Sequence, residues 1–77
     1  MVNMMEFIEK VEDLQFDIEL INATLDYLRD KYFEQLWEEE MYLANYYISE
    51  INRLNDVLDK KYKEQEKAYK ELLILHL

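Results

Sequence analysis

Eighteen carboxylates, one histidine and no cysteine are the groups in these 77 residues with any reach toward catalysis or metal binding. Paired carboxylates act as general acid and base when burial or a neighbour drives their pKa values apart. Here pairs such as Glu9 and Asp13 stand at i, i+4 on a helical pattern that leaves them in water, where they are ordinary solvated charge. His76 is penultimate, and Leu73 occupies the position three residues before it. The Glu-x-x-His signature by which helical bundles hold metals is therefore missing. With no Gly there is no Gly-rich phosphate loop, and without His or Cys nearby a carboxylate-only metal centre is a poor candidate. No catalytic residue, metal site or cofactor is assigned. The chain reads as non-enzymatic.

The elements that carry these charges are helices. Gly and Pro, the two strongest helix breakers, are both absent. Asn3 is placed to cap a first helix, with Glu6 three residues on and Val2 and Phe7 at the positions of a hydrophobic staple. From there Met4, Phe7, Val11, Leu14, Ile18, Ile21, Leu25, Leu28 and Tyr32 follow a 3-4 alternation, the seam of a helix packed along its length. Gln35 and Glu39 would come next, and the seam falters at the run Glu38-Glu39-Glu40. Three Glu suit the first turn of a new helix, where the macrodipole favours anions. A second seam then builds from Ile48, Ile51, Leu58, Tyr62, Tyr69 and Leu72, with Asn55 and Gln65 as polar members.

These spacings predict an all-α, coiled-coil-like two-helix hairpin in a single domain over 1–77. The expected helices are 4–36 and 41–75, with the turn within 35–41 and each arm about 50 Å long. No Gly or Pro marks that turn. Two alternatives stay open: a helix continuous through residue 40, and a break at Asn22-Ala23-Thr24 with Thr24 as a cap.

The first helix is apolar on two sides. At about 100° per residue, Phe16, Leu20, Ala23 and Tyr27 project opposite the seam. Glu9, Glu12, Asp13, Glu19, Asp26, Asp30 and Glu34 flank them. On the second helix the corresponding side carries Ser49, Arg53, Asp56, Lys60, Lys63 and Lys67. One arm of a hairpin covers only one side of the other, so the extra stripe needs another chain. A homodimer forming a four-helix bundle would bury it, and so would a protein partner with a basic surface. Seven aromatic residues also crowd the turn: Tyr27, Tyr32, Phe33, Trp37, Tyr42, Tyr46 and Tyr47. Tyr32 and Tyr47 suit a plug closing the hairpin, whereas Trp37 and Tyr42 are the ones expected to face water. The candidate partner-binding set is Glu9, Glu12, Asp13, Phe16, Glu19, Leu20, Asp26, Tyr27, Asp30, Trp37 and Tyr42.

Charge narrows the partner. The net charge is −9, with −7 of it in residues 1–38 and −2 in 39–77 by count of the sequence. Such a chain repels DNA, RNA and anionic membranes and attracts basic surfaces. No apolar run reaches 18 residues, so no membrane span is expected, and Met1-Val2-Asn3-Met4-Met5-Glu6 lacks the basic region of a secretory leader. The expected location is cytoplasmic. Without disulfides or metals, oligomerisation is the staple left to so small a core.

Two stretches carry a resemblance: Leu25-Asp26-Tyr27-Leu28-Arg29-Asp30-Lys31-Tyr32-Phe33-Glu34, and Ile48-Ser49-Glu50-Ile51-Asn52-Arg53-Leu54-Asn55-Asp56-Val57-Leu58-Asp59. In their Leu and Tyr-Phe spacing they resemble small acidic helical-hairpin proteins of phages and mobile elements of Gram-positive bacteria. The likeness covers about half of the chain and carries over no binding residue. It implies an inhibitor or modulator of a host nuclease, polymerase or nucleic-acid-binding factor, with helix carboxylates imitating a row of phosphates.

Overall fold

A chain of strong helix formers with one apolar seam per arm has a single efficient way to leave water: lay the two seams together. The computed structural model describes residues 4–76, with side chains through Ile74. Asn3 and Val2, the expected cap and staple, lie outside the described residues, as does the His76 side chain. Helix α1 (Met4–Trp37) and helix α2 (Met41–His76) pack against each other along a rod of 57 × 16 × 15 Å. The protein is an all-α helical hairpin. α1 runs through Asn22-Ala23-Thr24 without a break, and the Thr24 hydroxyl donates to the Leu20 carbonyl at 2.9 Å, a bond internal to the helix.

Three polar contacts report the antiparallel register. Gln65 Nε2 donates to Gln15 Oε1 at 2.8 Å, Asn22 Nδ2 donates to the Tyr62 hydroxyl at 3.5 Å, and Lys61 pairs with Asp17 at 3.4 Å. Residue n of α1 thus faces a residue near 80 − n of α2. Along this line Leu14, Ile18 and Leu25 from α1 and Ala44, Ile51 and Ala68 from α2 are buried. The other seam residues of α1, from Met4 to Tyr32, are half-buried. Burying each Leu or Ile contributes about 1.5–3 kcal/mol.

The second seam departs from its expected course. Tyr62 and Tyr69 stand half-exposed at the flank, while Lys61 and Ala68 beside them turn inward; Gln65 is buried at its expected seam position. Ala44, Ile51 and Gln65 keep a strict seven-residue spacing, while the alternate set falls on Lys61 and Ala68, one residue before Tyr62 and Tyr69.

The turn is made without glycine. The Glu40 N–H donates to the Gln35 carbonyl at 2.9 Å and the Glu39 N–H to the Leu36 carbonyl at 3.1 Å, the bond pair of a Schellman motif. Glu39 sits in its left-handed position with φ 60°. The three glutamates therefore precede α2 and do not form its first turn, although the Glu40 carbonyl accepts from the Ala44 N–H at 2.9 Å. What compels the break is phase. Gln35 and Ala44 both face the seam, yet nine residues of continuous helix would rotate them about 180° apart. An unbroken helix would point the two seams in opposite directions.

A left-handed conformation costs a non-Gly residue roughly 1–2 kcal/mol, partly offset in Gly by its unfolded-state entropy. Glu39→Gly is therefore expected to stabilise the hairpin by about 1 kcal/mol, or roughly 4–8 °C in Tm. Thermal unfolding followed by circular dichroism checks this, and an unchanged or lower Tm would contradict the strain at Glu39. Leu25→Ala, at the most buried side chain, is expected to cost about 2–5 kcal/mol. Urea unfolding reads that loss directly.

Candidate interaction face

Because α2 covers only the seam side of α1, the opposite side is left to solvent. Phe16, Leu20 and Tyr27 are 65%, 57% and 58% exposed there, with Ala23 exposed between them. Their i, i+4, i+7, i+11 spacing holds them in one line because α1 continues unbroken beneath them. Isolated exposed apolar residues are normal on any protein, whereas an aligned row of large ones marks a surface that binds.

Carboxylates frame the row. Glu9, Glu12, Asp13, Glu19 and Asp30 are exposed, and among the described residues none makes an ion pair. Glu19 accepts a hydrogen bond from Gln15 at 3.1 Å. Asp26 meets Arg29 at 3.5 Å across open surface, a contact of little energetic weight. The one cation on the row is Lys31. Its ammonium lies 3.3 Å from Glu34 and 5.7 Å from the centre of the Tyr27 ring. The hydrogen bond to Glu34, and then that carboxylate's charge, hold Lys31 above its ordinary pKa, so it stays a cation.

The structure brings nine of the candidate residues onto this outward side: Glu9, Glu12, Asp13, Phe16, Glu19, Leu20, Asp26, Tyr27 and Asp30. Trp37, at the end of α1, is 90% exposed, but ten residues after Tyr27 it stands about 80° round the helix from the row. Tyr42 does not join them. It is 86% exposed on the outer side of α2, where with Asn45, Tyr46 and Ser49 it lines a shallow cleft of about 380 Å³. Tyr32 and Tyr47 are half-buried. Tyr32 packs on Phe33 with ring centres 5.7 Å apart, and Tyr47 meets Tyr46 edge-on at 5.5 Å.

Phe33 and Met41 are also exposed near the turn, beside Trp37 in sequence. Phe33 stands at i−4 from Trp37, a spacing that marks the two as neighbours on one helix side. Tyr62 and Tyr69 are accessible because Lys61 and Ala68 take the inward positions beside them. Among the described residues no cluster of His, Cys, Asp or Glu is arranged to hold a metal ion, and no helix is long and apolar enough to cross a membrane. What the outward side of α1 offers is apolar contact area and negative charge. No protein-family model, curated protein or solved structure matches the chain.

Trp37 is the only tryptophan and so reports on this end of the face. The isolated hairpin at low concentration is expected to show the emission of a water-exposed indole, with acrylamide quenching near that of free tryptophan amide. A blue-shifted, shielded Trp37 would mean that the end of the face is covered.

Proposed function

We propose that this chain is a non-enzymatic protein-binding module that uses the outward side of α1 to occupy a basic, nucleic-acid-binding site on another protein. One observation carries the proposal: an aligned apolar row, exposed to water, set among carboxylates of which Glu9, Glu12, Asp13, Glu19 and Asp30 make no ion pair among the described residues. Apolar anchors supply affinity, while the surrounding charge speeds encounter with a basic surface and rejects acidic ones. Its setting is that of a phage or mobile-element modulator acting on a nucleic-acid-handling host protein in the cytoplasm. The net charge of −9 sets the chain against direct contact with nucleic acid.

A second reading, self-association into a four-helix bundle, is favoured by surface area. The hairpin exposes 6157 Å², whereas a compact monomer of its 9.6 kDa exposes about 5,100 Å². The excess is of the order that one partner buries in a standard interface, roughly 800 Å².

The two readings separate experimentally. Immobilised hairpin is expected to capture a nucleic-acid-binding protein and displace its DNA or RNA. The quadruple variant Glu12→Lys, Asp13→Lys, Glu19→Lys and Asp26→Lys is expected to lose at least tenfold in affinity for it. Equal capture by both would remove the acidic surface from the account. Light scattering at several concentrations and salt levels gives the mass. If self-association consumes the stripe, the mass is twice that of the chain and Leu20→Glu halves it.

A further inference from the structure

We infer that the element recognised by the outward side of α1 is a single amphipathic α-helix, with Lys or Arg beside its apolar seam where it meets Glu12, Glu19 and Asp30, laid along α1 as a third helix. The inference rests on the reading of this side as a protein-binding face and names the shape and chemistry of what fills it.

The spacing of the row is that of a helix seam. Phe16, Leu20, Ala23 and Tyr27 step by four, three and four residues, the a/d alternation that meets knobs from a facing helix. The row is about 16 Å long from Phe16 to Tyr27, some three turns. Ala23 leaves a gap between large neighbours, a hole into which a partner's side chain can pack at the 8–10 Å separation of helix axes.

The charges lie where a rod would meet them. Glu12, Glu19 and Asp30 project to one side of the row, while the other side holds Asp13 and the cation Lys31. A flat surface touching a cylinder meets only its ridge. A second cylinder also brings its flanks to these carboxylates, as the e and g positions do in a coiled coil. The face even carries a small example of the contact expected: the Lys31 ammonium set over the Tyr27 ring at 5.7 Å.

Charge density argues against a face that simply imitates nucleic acid. Duplex DNA carries one negative charge per about 1.7 Å of its axis. From Glu9 to Asp30, α1 has seven acids and two bases over about 32 Å, or one net charge per roughly 6 Å. That is several times too sparse for a phosphate row, and phosphates have no counterpart to Phe16, Leu20 and Tyr27. Basic helices are, however, the elements with which many proteins enter the grooves of DNA. Covering one would block that use without copying the nucleic acid.

The test uses the full chain and three labelled probes, followed by fluorescence anisotropy and circular dichroism. Two are 21-residue peptides with the same Leu/Ala seam, one flanked by Lys and the other by Glu. The third is polylysine in its unfolded form. The Lys-flanked peptide is expected to bind, to gain helicity in the complex and to weaken several-fold as salt screens the flanks. The Glu-flanked peptide is expected not to bind. Leu20→Glu is expected to cost at least about tenfold while leaving the helicity of the hairpin unchanged, since Leu20 lies outside the core.

Equal binding of the two peptides would overturn the charge rule, and equal binding to Leu20→Glu would place the contact elsewhere. If polylysine binds and the Lys-flanked peptide does not, the helix is wrong while the basic-partner reading stands. Failure of both cationic probes would end both readings. A homodimer that Leu20→Glu dissolves would show the face already filled by a second copy, and the inference would fail.

Discussion

The structure depends on one line of contact, the antiparallel seam between α1 and α2. The chain has no cysteine for a disulfide, and among the described residues there is no third element against which either helix packs. The seam takes one side of each helix and leaves the rest to water. It also dictates the turn, because the apolar patterns of the two arms are about half a turn out of phase across residues 38–40. A chain that must bury both patterns on one line has to stop and reverse. It accepts Glu39 at φ 60° to do so.

Polar members of the seam act on register more than on strength. Gln15 and Gln65 satisfy one another at 2.8 Å, with Gln65 buried. Sliding the helices by one heptad would part them and leave a buried amide without its partner, at a cost of about 1–3 kcal/mol. Two apolar seams alone would discriminate less sharply between such alignments. Gln35 is the opposite case. Its Oε1 is buried and lacks a hydrogen-bond partner, just where α1 gives way to the turn. The strained turn and the orphaned amide lie within a few residues of each other.

How far the sequence spoke for itself follows from the same geometry. The α1 seam was legible from Met4 to Tyr32 because every position is apolar and drift is shared between two packed helices. In α2 the pattern includes Asn55, Gln65, Tyr62 and Tyr69, residues content at an interface edge, so spacing alone did not show that Ala68 and Lys61 turn inward. The helix reversal had no Gly or Pro to announce it. Its sign was the half-turn phase jump between the seams, a relation between distant residues that no local motif carries. The outward row of α1 was legible for the opposite reason: Phe16, Leu20 and Tyr27 have no place in the first seam. Tyr42 was separable from that row only once the turn placed it on the other helix.

The charge distribution sets the two uses of the surplus surface against each other. A two-fold contact through the outward side of α1 would bring like faces together, and around Phe16, Leu20 and Tyr27 those faces hold Glu9, Glu12, Asp13, Glu19 and Asp30. Like-charge juxtaposition at an interface costs several kcal/mol, comparable to what burying two or three large apolar side chains returns. A basic partner meets the same apolar row and turns the repulsion into attraction. Lys60, Lys63 and Lys67 of α2 stand on the far side of the rod and cannot neutralise these acids within one chain, and Lys61, which does reach α1, pairs with Asp17. Hydrophobic area alone therefore does not choose between a second copy and another protein. The carboxylates around it are what support the proposal of a partner that arrives with cations.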